Sequence, residues 1–168
     1  MRTIDSISIK AYKLSETVAD DVWRMVNEWE PLAQNSIGKE AIVAADNIGA
    51  NISQAVGCQY VAGYQHGLRM ARAAVFATRH WLRRAYYRNL ATERQADRIK
   101  RNLEEILRHL ESGLETYKHH PTNSLLVSPW QVDRSIAQEI NGFQPKTNRN
   151  GYDHAGAIEV EYRHPFND

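Results

Sequence analysis

HGLRMARAAVFATRHWLRRAYYR, residues 66–88, decides the fold, because this one stretch holds both a seam fit for burial and a row of positive charge. At about 100° per residue, Gly67, Leu68, Ala71, Ala74, Val75, Thr78, Trp81, Leu82, Ala85 and Tyr86 gather on one broad face of a helix. Arg69, Arg72, Arg79 and Arg83 fall beside that face. Their steps of three, seven and four residues follow the helical neighbour rule, so four guanidinium groups stand in line along one edge. Small residues at 67, 71, 74 and 85 permit close approach of a second helix. The stretch therefore predicts a bundle helix with a binding edge rather than a catalytic element.

Around it lie 168 residues, 42% apolar and 24% charged, enough for one well-filled core and too few for two large domains. Cys58 is the one cysteine, which excludes an internal disulfide and a multi-cysteine zinc site and fits a reducing compartment. A cytoplasmic, soluble chain is expected. MRTIDSISIK has no apolar core of the signal-peptide kind, and no run of about 18 apolar residues offers a membrane span. The net charge of +1 hides an asymmetry: residues 69–108 carry eleven Lys or Arg against four acids, an excess of +7, and the remainder carries −6. Such concentration attracts phosphate, although a basic face is also often no more than a solvated one.

The periodicity upstream predicts two more helices. Residues 1–7 lack a repeat and read as a short arm; over residues 8–30, Ile9, Tyr12, Leu14, Val18, Val22, Met25, Val26 and Trp29 share one side. EPLAQNS, beginning at Glu30, is expected to turn. Over residues 36–58, Ile37, Ala41, Ala44, Ile48, Ile52 and Ala55 make a single narrow seam, with Asn51 at its edge as a buried or half-buried amide bonding a neighbouring helix in preference to a ligand. Gly49 predicts close helix contact, and Gly57 the end or a bend of that helix.

Downstream, Asn89 marks a stop, and Thr92 with Gln95 three residues on has the capping-box pattern that starts the next helix. Ile99, Leu103, Ile106, Leu107, Leu110, Leu114 and Tyr117 continue it to about Lys118. Short connections between helices of similar length predict an all-α, antiparallel up-down four-helix bundle over residues 8–118. Residues 119–168 form a C-terminal extension: Ser128-Pro129-Trp130-Gln131 opens a short fifth helix to about Ile140, and an extended tail follows. Within that tail, Ile158, Val160 and Tyr162 alternate with Glu159 and Glu161, as in an edge strand or a segment that orders on a partner.

Catalytic chemistry has no visible carrier. His66, His80, His109 and His154 lack the His or Glu-x-x-His companions of a bundle metal site, and His119-His120 diverge on a helix. There is no Gly-rich phosphate loop, no G-x-S-x-G elbow and no Cys/His pair with a third member. Asp20, Asp21, Glu104 and Glu105 read as solvated faces. The expectation is a non-enzyme with no cofactor and no metal.

Two of these helices also carry a family pattern. Ile37-Gly38-Lys39-Glu40, the run Ala44-Ala45-Asp46-Asn47-Ile48-Gly49-Ala50-Asn51-Ile52, Gly57, and Thr78-Arg79-His80-Trp81-Leu82-Arg83-Arg84-Ala85 resemble a bacterial four-helix-bundle family. That family is named after proteins encoded by intervening sequences in large-subunit ribosomal RNA genes. Lys10-Ala11-Tyr12-Lys13-Leu14 fits its first helix, so the resemblance spans about residues 9–118. The chain departs from the pattern twice. Asn51-Ile52-Ser53-Gln54-Ala55 replaces Asn-Ile-Ala-Glu-Gly, and Ala71-Arg72-Ala73-Ala74 followed by Ala77 replaces Ala-Arg-Gly-Ser followed by Glu. Two characteristic carboxylates are thereby lost, which bares the arginine edge.

The resemblance implies a non-enzymatic bundle assembling into a homo-oligomer, a ring-like pentamer. Relatives include accessory subunits of diversity-generating retroelements, basic barrels that partner a reverse transcriptase and its RNA. On that reading Arg69, Arg72, Arg79, Arg83, Arg84 and Arg88 contact RNA or DNA through phosphate, which positions nucleic acid without reading its sequence. Phe76 lies on the arginine side and, with Trp81 and Asn51, is expected at a contact with another subunit or partner; Phe76 is also placed to stack on a base. The alternative is a protein-interaction scaffold whose arginines pair with acids of a neighbouring subunit or of residues 119–168, where six acids face four bases.

Overall fold

A computed structural model describes residues 4–126, with side chains from residue 9 onward. Its elements in chain order are α1 (Ile4–Asn27), a single turn α2 (Pro31–Ala33), a π-helical segment (Gln34–Gly38), α3 (Lys39–Gly57), α4 (Val61–Tyr87) and α5 (Glu93–Thr116). α1 borders α3 and α5, and α4 borders the same two, so the four long helices stand at the corners of a square in chain order. Asp21 of α1 meets Arg98 of α5, and Glu28, just past the end of α1, meets Gln95, which makes that pair antiparallel. The expected antiparallel up-down bundle is the architecture found.

The seams predicted from periodicity fill the interior. Val18, Val22 and Met25 of α1, Ile48 and Ile52 of α3, Tyr64, Leu68 and Val75 of α4, and Ile99, Leu103, Ile106 and Leu110 of α5 are nearly free of solvent. Burial at about 25 cal/mol per Å² is the main force holding four such stripes together. Glycine sets the closest approach: a Cβ on Gly67 would lie 2.6 Å from the Ala55 Cβ and 2.8 Å from its Cα. Gly49 likewise abuts Ser15 of α1, where a Cβ would stand 2.9 Å from the hydroxyl.

Helix ends differ from expectation in instructive ways. α1 begins at Ile4, so the short arm expected over residues 1–7 is partly helix. The stretch after Pro31 does not form a loop before the next helix. Pro31, at the first helical position, opens a turn whose continuation winds with π spacing and runs straight into α3. That wider turn carries Ile37 and Gly38 into the core, where a Cβ on Gly38 would lie 2.7 Å from Val26. α3 stops at Gly57, as its glycine predicted.

α4 starts at Val61, five residues before the stretch that defined it. No side chain caps it. Instead the chain returns from α5: Val61 N–H donates to the Ser124 carbonyl and Ala62 N–H to that of Thr122, each at 3.1 Å, while Leu126 N–H reaches the Gln59 carbonyl. Leu126 is itself buried, so a strap over residues 122–126 packs on the bundle beyond Lys118. At the other end, Asn89 takes φ 56° while its N–H bonds the Tyr86 carbonyl and that of Leu90 bonds Ala85, a Schellman ending. Thr92 and Gln95 then form the predicted capping box. The expected fifth helix and the alternating segment at 157–162 lie outside the described residues.

Candidate nucleic-acid interface

α4 holds 27 residues, five arginines and no acid, and Arg88 follows as its C-cap. All six guanidinium-bearing residues are exposed. Among the described residues none of them forms an ion pair, whereas on α5 Arg98 bonds Asp21 at 2.7 Å and Arg108 bonds Glu105. The cause is compositional: α4 offers no carboxylate at the i±3 or i±4 positions where a helix pairs its charges. Arg69 finds only the neutral Gln65 oxygen at 3.3 Å.

The two remaining polar contacts of the edge are with aromatic rings. Arg79 stands 5.9 Å from the centre of Phe76, and Arg83 lies 5.4 Å from that of Tyr87, distances at which a cation feels the ring's negative face. Phe76 is one turn from both Arg72 and Arg79, two turns from Arg69 and Arg83, and 53% exposed. Arg69, Arg72, Arg79, Arg83 and Phe76 are thus one continuous surface. Arg84 and Arg88 sit to one side, roughly a quarter-turn or more around the helix, and belong to a different face.

The other expected contact residues scatter. Trp81 is half-buried against the core, with its ring edge-on to His80 at 4.9 Å. Asn51 is half-buried, but its amide donates to the Asn47 carbonyl at 2.7 Å within its own helix, not to a neighbouring one. The i−4 carbonyl lies within a single side chain's reach, so the local bond wins. Tyr86, assigned by periodicity to the core face, is 44% exposed.

Tyr86 is exposed because it borders a cleft of about 580 Å³ between the C-terminal half of α4 and the start of α5. Phe76, Leu82, Tyr86 and Ala96 give the cleft apolar walls. Arg79, Arg83, Lys100 and His80 bring cations or potential cations, and Glu93 and Asp97 bring two carboxylates. Lys100 and the two acids were not singled out from sequence, and Tyr86 was placed on the core face. The short turn between Asn89 and Thr92 is the signal that places residue 86 against residues 93–96.

Two groups with displaced proton affinity lie elsewhere, on α1 and α3. Partial burial, and then the Glu16 carboxylate, raise the Tyr12 phenol above its ordinary range. Partial burial, and then Asp20, raise the Asp46 carboxyl. Neither shift has an arginine of α4 among its causes. Among the described residues no three His, Cys, Asp or Glu side chains converge as metal ligands, and no helix is long and apolar enough to cross a membrane.

The fold has relatives. No curated protein matches the chain. A crystal structure of a protein of unknown function from the S23 ribosomal protein family of Bacteroides thetaiotaomicron is similar at 24% identity and a TM-score of 0.53. The similarity covers 63% of this chain and 98% of that one, and it concerns the fold. The sequence pattern of the 23S rRNA-intervening sequence proteins matches residues 8–112, from the first turns of α1 to the last turns of α5, and the chain belongs to that family.

Proposed function

We propose that this protein is a non-catalytic, homo-oligomeric bundle that binds structured RNA through the arginine edge of α4. One observation carries the reading: Arg69, Arg72, Arg79 and Arg83 are exposed in line, on a helix without acids, and lack carboxylate partners among the described residues. Surface guanidiniums without carboxylate partners are free to take phosphate oxygens in forked hydrogen bonds, and such contacts release counterions on binding. The family's association with ribosomal RNA genes gives RNA precedence over DNA as the polyanion. Within that reading the protein serves as an accessory subunit, and a diversity-generating retroelement reverse transcriptase is the partner the resemblance suggests. A ring of copies, a pentamer among them, would multiply the arginine row into a continuous belt.

The test is a mobility-shift titration of a structured RNA at two salt concentrations. Replacing the four arginines with glutamine is expected to weaken binding at least a hundredfold at low salt and to flatten the salt slope by about three to four. Absence of binding at low salt, or affinity indifferent to the substitutions, refutes the reading.

A further inference from the structure

The cleft beside the arginine edge has a composition that phosphate binding alone does not explain. A surface that only tracks duplex backbone gains from cations and loses from every carboxylate, yet Glu93 and Asp97 line this cleft together with Arg79, Arg83 and Lys100. These acids form no ion pair with those cations within 4.0 Å, so both kinds of group keep free bonding capacity. The walls between them are apolar and aromatic, with Phe76 and Tyr86 both partly exposed to the opening. At about 580 Å³ the hollow falls in the range that accepts a small organic molecule.

We infer that the α4–α5 cleft is a subsite for one unpaired nucleotide of RNA, an assignment that rests on the RNA-binding reading above and gives it a substrate class. An unstacked base lies against the Phe76 and Tyr86 rings, since every base has a π-face that an aromatic side chain can cover. Arg79, Arg83 and Lys100 hold the flanking phosphates. Asp97 and Glu93 are acceptor-only groups, and a base edge supplies the N–H donors they lack. A base inside a duplex cannot enter, so the cleft selects loops, bulges and single strands while the rest of the edge tracks backbone. Arg79 and Arg83 belong to both surfaces, which fixes the unpaired nucleotide adjacent to a helical stem.

The experiment compares two RNAs by fluorescence anisotropy with the full chain at low salt: a blunt duplex, and a hairpin of the same stem whose loop carries 2-aminopurine. The hairpin is expected to bind about tenfold more tightly, with quenching of the 2-aminopurine as it stacks. Phe76→Ala, at an exposed position, is expected to bring the variant's affinity for the hairpin down to its own affinity for the duplex and to abolish the quenching; Phe76→Tyr is expected to keep the difference and the quenching. Equal affinity for the two RNAs with no effect of Phe76→Ala overturns the subsite and leaves the basic-edge reading standing. Loss of both affinities together with a changed sedimentation coefficient assigns Phe76 to a subunit contact and also overturns it. Binding of neither RNA by the unaltered protein defeats both readings.

Discussion

At Gly67 the α4 backbone lies against Ala55 of α3, and the contact leaves no room for a second methyl. A Cβ there would lie 2.9 Å from the Ala55 backbone nitrogen, so relief demands that one helix shift. Gly67→Ala is expected to cost about 1–3 kcal/mol in urea unfolding, although alanine is the better helix former. Adding Ala55→Gly to the same chain is expected to recover part of that loss. The smallness of residue 67 was legible in the sequence, as were the buried positions of the seams. Asn51 and Tyr86 were not. A position at the edge of a stripe fits an amide turned inward or along its own helix, and an apolar face does not disclose where its neighbour helix ends.

Whole elements were read well where their signals are local and poorly where they are not. The Thr92–Gln95 box and the Asn89 stop are complete within a few residues, and both form as expected. Their energies are open to measurement. Thr92→Ala is expected to cost about 1 kcal/mol, by leaving the Gln95 amide without its cap. Asn89→Val is expected to cost about 1–2 kcal/mol, because a β-branched residue resists φ 56°, while Asn89→Gly is expected to be tolerated. Thermal melts followed by circular dichroism separate the three. The π-wound entry to α3 left no such trace, since an added residue in a helix is decided by what Gly38 packs against, namely Val26. The early start of α4 was hidden for a related reason. Its first N–H groups are satisfied by carbonyls of Thr122 and Ser124, and backbone acceptors carry no sequence signature.

At the scale of the molecule, four amphipathic stripes and short turns specified the bundle, and the acid-free α4 specified its charged edge. The cleft emerged only when α5 was laid beside α4, because Phe76 and Lys100 come from different helices. The strap was equally invisible, yet it is part of the fold's stability. A chain ending at Lys118 is expected to melt below one ending at Leu126, by about 2–4 kcal/mol, since it loses the burial of Leu126 and the bonds to Val61 and Ala62. Equal melting of the two chains would mean that solvent caps α4 as well as the strap does. The same feature bears on how the protein is made. Thr122 and Ser124 leave the ribosome only after all of α5, so the first turn of α4 waits, unfinished, for nearly the whole bundle to be synthesised. The finishing of the arginine helix is thereby tied to residues that lie beyond the last helix of the bundle.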